Sequence, residues 1–327
     1  MLSYIAKRLA WMLPILLGIT LISFVIMHLA PGDITSTEAS LDPRMGAEAR
    51  ERLRAAYNLD KPLLVQYGLW LERLVHLDFG NSFAPDGAKV IDKIAQHLPV
   101  TLLINALAML LILAAAIPVG VASAVRAHSS FDRITTVLVF IGFAIPSFWL
   151  ALILMIWLGV EHAWLPITGL ASLDHDQLPF WERLWDSARH LVLPVFISAI
   201  GGIAGFSRYI RSNTLEVLRQ DYITTARAKG LREQQVIYTH ALRNALLPTI
   251  TILGLSIPGL IGGSVIVESL FSIPGMGKLF YDAVLMRDFP VVMGILVIGA
   301  VLTLLGNLLA DLAYAWADPR VRRGLNA

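Results

Sequence analysis

The sequence predicts an all-α, polytopic membrane protein with six transmembrane helices. Three observations carry that expectation. Of 327 residues, 56% are hydrophobic and only 15% are charged, which leaves too little charge to cover a soluble domain of this size. Six uncharged stretches, 9–27, 98–125, 134–160, 191–207, 245–267 and 291–310, punctuate the chain. Each reaches or exceeds the roughly 17–25 apolar residues that a helix needs to cross about 30 Å of hydrocarbon. Lysine and arginine, finally, concentrate in alternate connecting segments, as the positive-inside rule requires.

Taken in order, residues 1–8 read as a cytoplasmic N-terminus and 9–29 as the first span. Lys7-Arg8 before an apolar run resembles a secretory signal. The run is too long for one, however, and the small-residue site near Ala30 is poor, so an uncleaved anchor is expected. Residues 30–97 form a periplasmic or extracellular segment that opens on the turn signal Pro31-Gly32-Asp33. Residues 48–57 have helical composition, and 65–77 carry an apolar face with Trp70. The segment reads equally as a partly helical cap or as a connector lying on the membrane surface.

The second span, 98–125, leads through a cytoplasmic loop, 126–133, into the third, 134–160. An outer loop, 161–190, precedes the fourth span, 191–207, and a long cytoplasmic loop, 208–244, follows it. The fifth span, 245–267, an outer loop, 268–290, the sixth span, 291–310, and a cytoplasmic tail, 311–327, complete the chain. With this orientation the inner segments 1–8, 126–133, 208–244 and 311–327 hold 2, 2, 7 and 3 Lys and Arg. The short outer loops hold 2 each; segment 30–97 holds 8, but loops of that length translocate largely regardless of charge. Both termini are therefore placed inside.

Pro14, Pro118, Pro146, Pro194 and Pro258 fall inside five of the six runs. Proline in a membrane helix frees backbone groups and commonly kinks it, which suits a bundle that rocks. Gly254, Gly259, Gly262 and Gly263 cluster in the fifth run, where small residues allow close helix approach. That span is expected at the centre of the bundle or against another chain.

Much chemistry is missing. A net charge of +2 points to no nucleic-acid partner, and the chain has no cysteine. No run centre carries Asp, Glu, Lys or Arg, the groups that ion-coupled carriers keep at mid-membrane. There is no zinc-protease, nucleophile-elbow or phosphate-loop motif; Gly275-Met276-Gly277-Lys278 lacks the spacing for the last. His28, His97 and His190 lie near span ends and read as satisfied interfacial histidines. No residue is assigned a catalytic or metal-ligating role, and no cofactor is expected to bind directly.

What stands out instead is 221–248, a polar, helix-forming island between two apolar runs, with a single glycine at Gly230. Leu215, Leu218, Tyr222 and Ala226 fall on one helical face, with Glu216, Gln220, Ile223 and Arg227 on the adjoining one. Lys229 then Gly230 reads as a helix stop. A second helix can begin near Arg232 and run to Leu246. Two helices meeting at a glycine make a compact knob beside the membrane, although a basic loop that only enforces topology is the simpler alternative.

Thr224-Thr225-Ala226-Arg227-Ala228-Lys229-Gly230, with Leu247-Pro248 beyond, resembles the EAA loop of ATP-binding-cassette (ABC) importer permeases. The chain is most similar to the dipeptide/oligopeptide/nickel branch, along essentially its whole length. Further matches are Pro31-Gly32-Asp33, Leu59-Asp60-Lys61-Pro62 with Gln66-Tyr67, Asp78-Phe79-Gly80-Asn81-Ser82, Pro146-Ser147-Phe148-Trp149, and Leu215-Glu216-Val217-Leu218 with Asp221-Tyr222. Glu268, Phe271, Pro274-Gly275-Met276-Gly277, Arg287-Asp288-Phe289-Pro290-Val291-Val292 and Asp318-Pro319-Arg320 extend the list. The long segment after the first span resembles the dipeptide-permease B type. Two departures stand out: Thr224 occupies the motif's acidic slot, and Leu247-Pro248 lies a few residues farther from Gly230.

The resemblance implies the type I ABC importer permease fold in a bacterial or archaeal cytoplasmic membrane. It implies as partners a second homologous permease, two ABC ATPase subunits or one homodimer of them, and a periplasmic or extracellular substrate-binding protein. ATP would be hydrolysed by the partner subunits. Asp221, Thr225, Ala226, Arg227, Lys229 and Gly230 would couple the chain to the ATPase: Ala226 permitting close approach, Gly230 setting the turn, Arg227 and Lys229 meeting the ATPase surface. The cargo expected is a dipeptide or oligopeptide, with nickel or another small solute as the alternative and an ion-coupled carrier as a remote one. Asn105, Ser147, Ser198, Thr251, Ser256 and Asn307 are the mid-run polar side chains that could line the path.

Overall fold

The computed structural model describes residues 2–29, 51, 60–260 and 262–317. Pro31-Gly32-Asp33, nearly all of 48–57, Leu59 and Asp318-Pro319-Arg320 lie outside them. The described residues are helical, apart from turns and one isolated antiparallel bridge between Asn81 and Lys89. The all-α class follows from the apolar runs, whose backbone must satisfy its own hydrogen bonds where no water is present.

Among the described residues, four helices are long and apolar enough to cross a membrane alone. They are α1 (Leu2–Leu29), α3 (Val90–Val125), α6 (Phe180–Leu218) and α13 (Phe289–Ala317). Between α1 and α3 lies α2 (Leu63–Val75), an amphipathic helix with no buried residue. Leu63, Leu64 and Val75 stay exposed on it while Tyr67 reaches α1, where its Oη lies 2.9 Å from Thr20 Oγ1.

The third run is not a single straight helix. α4 (Ser130–Ala144) and α5 (Ser147–Leu154) meet at 97°, and α5 continues into π-helical Met155–Glu161. Pro146 stands at the break, where it cannot donate to the preceding turn and biases Ile145 to extended dihedrals. The two pieces qualify together as one bent span or a re-entrant loop.

The fifth run breaks more thoroughly. α10 (Leu247–Ser256) tightens into a 3-10 turn, Ile257–Leu260, and α11 (Val265–Leu270) starts only after Ser264. Six continuous spanning helices are thus not what the described residues form. Glycine explains the second break: Gly263 has φ +64°, and a Cβ there would come within 2.8 Å of Glu268 Oε1 and 2.9 Å of the Gly277 nitrogen. Of the four glycines read as a packing stripe, Gly254 packs against Ala310 of α13 and Gly263 against Gly277 and Thr101 of α3, while Gly259 and Gly262 face open space.

α3 and α6 form the bundle's central pair, packed most closely where small residues face each other. A Cβ on Gly120 would lie 2.7 Å from the Ser207 carbonyl, and one on Gly202 would lie 2.3 Å from Ile112 Cδ1. Around the second point Ala108, Ile112 and Ala199 form one apolar cluster. α1 leans on α13 from outside, with Arg8 and Asp311 paired at 2.6 Å. Its remaining faces leave Trp11, Leu13, Ile22 and Ile26 exposed, as a lipid-facing helix must.

Two ends can now be told apart. The cap end carries α2, residues 161–179, α12 (Met276–Leu285) and the start of α13. There Asp288 accepts from Ser82 Oγ and, at 3.1 Å, from the Phe83 N–H, which ties the segment before α3 to the N-terminus of α13. The opposite end carries 126–133 and the polar island. The three histidines near run ends are indeed hydrogen-bonded: His28 to the Phe24 carbonyl and Gln66, His97 to the Lys93 carbonyl, His190 to the Asp186 carbonyl.

Candidate coupling site

The island is two helices joined at a glycine. α7 spans Asp221–Ala228, with Asp221 in its first turn and Arg227 in its last, both favourable to the helix dipole. α8 (Glu233–Gln235) runs through π-helical Val236–Ala241 into α9 (Leu242–Ala245). Between them Gly230 adopts φ +76°. Its N–H donates to the Arg227 carbonyl at 2.9 Å, and the Leu231 N–H donates to that of Ala226 at 3.4 Å. That bonding is the Schellman stop, which needs a residue at ease with left-handed dihedrals.

Side chains fix the hinge on both flanks. Arg227 donates to both Glu233 carboxylate oxygens, at 3.2 and 2.7 Å, across the turn. That guanidinium holds the Glu233 carboxyl below its ordinary range. Tyr222 accepts from Asn244 Nδ2 at 2.9 Å, bracing α7 against α9. Thr225 Oγ1 donates back to the Asp221 carbonyl at 2.9 Å.

The buried face differs from the one the spacing predicts. Ile223 and Ala226 are enclosed with Val236 and Ala241, whereas Tyr222 is 42% exposed. The reason is local: α6 ends at Leu218, and Gln220, in extended backbone, is the N-cap of α7, so the helical register restarts. Ala226 is therefore small because the π-helical stretch Val236–Ala241 approaches it from within the island. Asp221, Thr225, Arg227, Lys229 and Gly230 are each exposed.

The island is also geared to the membrane helices. Ile237, in its π turn, joins Ala116 and Val121 of α3 and Ile210 of α6 in a single cluster. The close approach at Gly120 lies alongside. Packed side chains therefore join the island to the central helix pair.

The mid-run polar residues are spread over several helices. Asn105 Nδ2 donates to the Leu260 carbonyl at 2.6 Å, tying α3 to the broken fifth run. Ser256, beside that break, bonds back to the Ile252 carbonyl at 2.8 Å. Ser147 opens α5, Ser198 has a buried hydroxyl without a partner, and Asn307 is half-buried on α13. No hydrogen bond joins any two of these, and the side chain of Thr251 lies outside the described residues.

A second polar centre went unread in the sequence beyond its motif. Glu268, 3% exposed, accepts from Thr101 Oγ1 at 2.9 Å and from the Lys278 N–H at 2.9 Å; Thr101 accepts in turn from the Met276 N–H at 2.8 Å. The carboxylate so caps α12 while fastening α3 and α11 to it. Gly263 and Gly275 crowd around it, and a Cβ on Gly275 would fall 2.4 Å from Glu268 Cδ. The Pro-Gly-Met-Gly run was the available signal.

The described residues thus form a helical membrane bundle with a two-helix polar island packed against its central pair. Residues 116–323 match the family described as binding-protein-dependent transport system inner membrane component. The chain belongs to that family, whose members are membrane permeases of ABC transport systems and not themselves enzymes. It is 48% identical over 321 residues to the oligopeptide transport system permease protein AppB of Bacillus subtilis, covering 98% of this chain and 99% of the relative. A putative peptide transport system permease protein of Brucella abortus is 40% identical, with 98% and 99% covered. The dipeptide transport system permease protein DppB of Alkalihalophilus pseudofirmus is 36% identical, with 98% and 100% covered.

Proposed function

We propose that this chain is a permease subunit of an ATP-driven importer of dipeptides or oligopeptides. It lies in a bacterial or archaeal cytoplasmic membrane with both termini inside, and a second homologous permease completes the path. Two ATPase subunits sit below, and a substrate-binding protein delivers cargo on the cap side. The curated relatives, matched end to end and named for oligopeptide, peptide and dipeptide transport, support the cargo class.

The observation that carries the mechanism is the island's construction. Asp221, Thr225, Arg227, Lys229 and Gly230 are exposed on it, while Ile237 packs it against α3 and α6. Closure of the ATPase pair on ATP would shift α7, and the stapled hinge would pass that motion to the central helices. Asn105 and Ser256, at the break in the fifth run, are placed where a moving path would change its lining. Six crossings remain the expected topology, with the third and fifth made by bent or broken helices.

The test is co-purification. The complete chain should bring down an ATPase subunit, and the chain with 221–248 replaced by a neutral linker should lose it while keeping the second permease. Retention of the ATPase by the linker variant would defeat the reading.

A further inference from the structure

At the island end, α3, α4 and α6 line an open cavity of about 240 Å3. Its wall is apolar, with Val119 and Phe140; its polar rim includes Ser123, Thr135, Arg208 and Arg211. The two hydroxyls satisfy each other at 2.8 Å, and Thr135 also donates to the Phe131 carbonyl. The donors that remain for a ligand are the arginines.

Their charges are not balanced. Arg211 spends Nε and Nη2 on Asp132, at 2.6 and 2.8 Å, which leaves Nη1. Arg208 forms no ion pair among the described residues; its guanidinium rests over the Phe140 ring, 5.4 Å from the centroid. Asp132 therefore cancels one of two cations. Arg208 follows directly on the apolar run 191–207, and Arg211 lies about one turn further, at the depth where lipid phosphates meet a membrane helix. From the mouth, α4 leads away with Val137, Leu138, Ile141 and Phe143 exposed.

We propose that this cavity binds the phosphate of an anionic phospholipid, with Arg208 as the principal contact, Arg211 Nη1 as the second, and an acyl chain along α4. A free phosphate ion shares the oxyanion chemistry but would make no use of the apolar wall. Net positive charge selects an anionic headgroup over a zwitterionic one, by about fivefold for one free arginine at the surface.

The test uses the assembled transporter in symmetric nanodiscs, so it does not depend on which face of the membrane the island occupies. Association of spin-labelled phosphatidylglycerol is compared with that of spin-labelled phosphatidylcholine by electron paramagnetic resonance. The wild type should show a phosphatidylglycerol-selective site. Arg208→Gln should lower its selectivity about fivefold. Val119→Trp, which fills the cavity without touching its charge, should abolish the site, whereas Arg219→Gln on the exposed C-cap of α6 should leave it intact. Full selectivity in Arg208→Gln or Val119→Trp overturns the proposal. So does displacement of the lipid by inorganic phosphate at matched ionic strength, which would make this an ion site.

Discussion

At Gly230 the backbone is left-handed, and the space a Cβ would occupy is open. A substitution there is penalised by dihedral angle alone, about 1–2 kcal/mol for most side chains and less for asparagine, which tolerates that region. Gly230→Val should therefore depress uptake and binding-protein-stimulated ATP hydrolysis several-fold in an intact complex, while Gly230→Asn retains most of both. Equal activity in the two variants would mean that the turn geometry does not matter. The Arg227–Glu233 staple has its own signature. Because the arginine lowers the Glu233 pKa, the staple's contribution is complete above the ordinary glutamate range and is lost as pH falls through the lowered value. Protection factors of the amides at 229–233, with the intrinsic pH dependence of exchange divided out, should be constant around neutrality and fall only in acid. Gly230 was legible because one glycine ended a basic last turn; the staple was not, since a six-residue separation across a bend follows no helical period.

Elements show where periodicity fails as a guide. The apolar runs located α1, α3, α6 and α13, whose length and lack of charge admit one solution in a bilayer. They could not show that Pro146 bends the third run by 97°, or that the fifth stops at Ser256. Those breaks depend on partners distant in sequence: Leu260 is held by Asn105, and Gly263 by the space Glu268 occupies. Glu268→Ala should remove the cap of α12 and leave Thr101 without its acceptor. Hydrogen bonds to a charged group contribute about 1.5–3 kcal/mol, so the purified complex should melt at a lower temperature. At the island end Asp132→Ala should also destabilise, because it strands a partly buried arginine. Asp132→Ala with Arg211→Met should recover stability, which differential scanning fluorimetry would register.

For the whole molecule, exposed apolar surface and aromatic placement agree with a bilayer around the bundle. Phe180, Trp181 and Trp185 are exposed where α6 begins, and Trp164 lies exposed at the same end, as in an interfacial aromatic belt. The chain's lack of cysteine makes its sidedness directly measurable. Single cysteines replacing Asp86 or Leu173 should react with an impermeant maleimide in intact spheroplasts. Cysteines replacing His128 or Lys229 should react only after permeabilisation.

The same cysteine-free background serves the central claim, that the island is where an ATPase grips this permease. A single cysteine replacing Lys229, carrying a photo-activated benzophenone in the assembled transporter, should yield a covalent adduct with the ATPase subunit. The same probe at Leu173, at the cap end, should yield none. An ATPase adduct at 229 that is absent at 173 is the predicted result; an unadducted ATPase at 229, or equal adducts at both positions, would contradict the account.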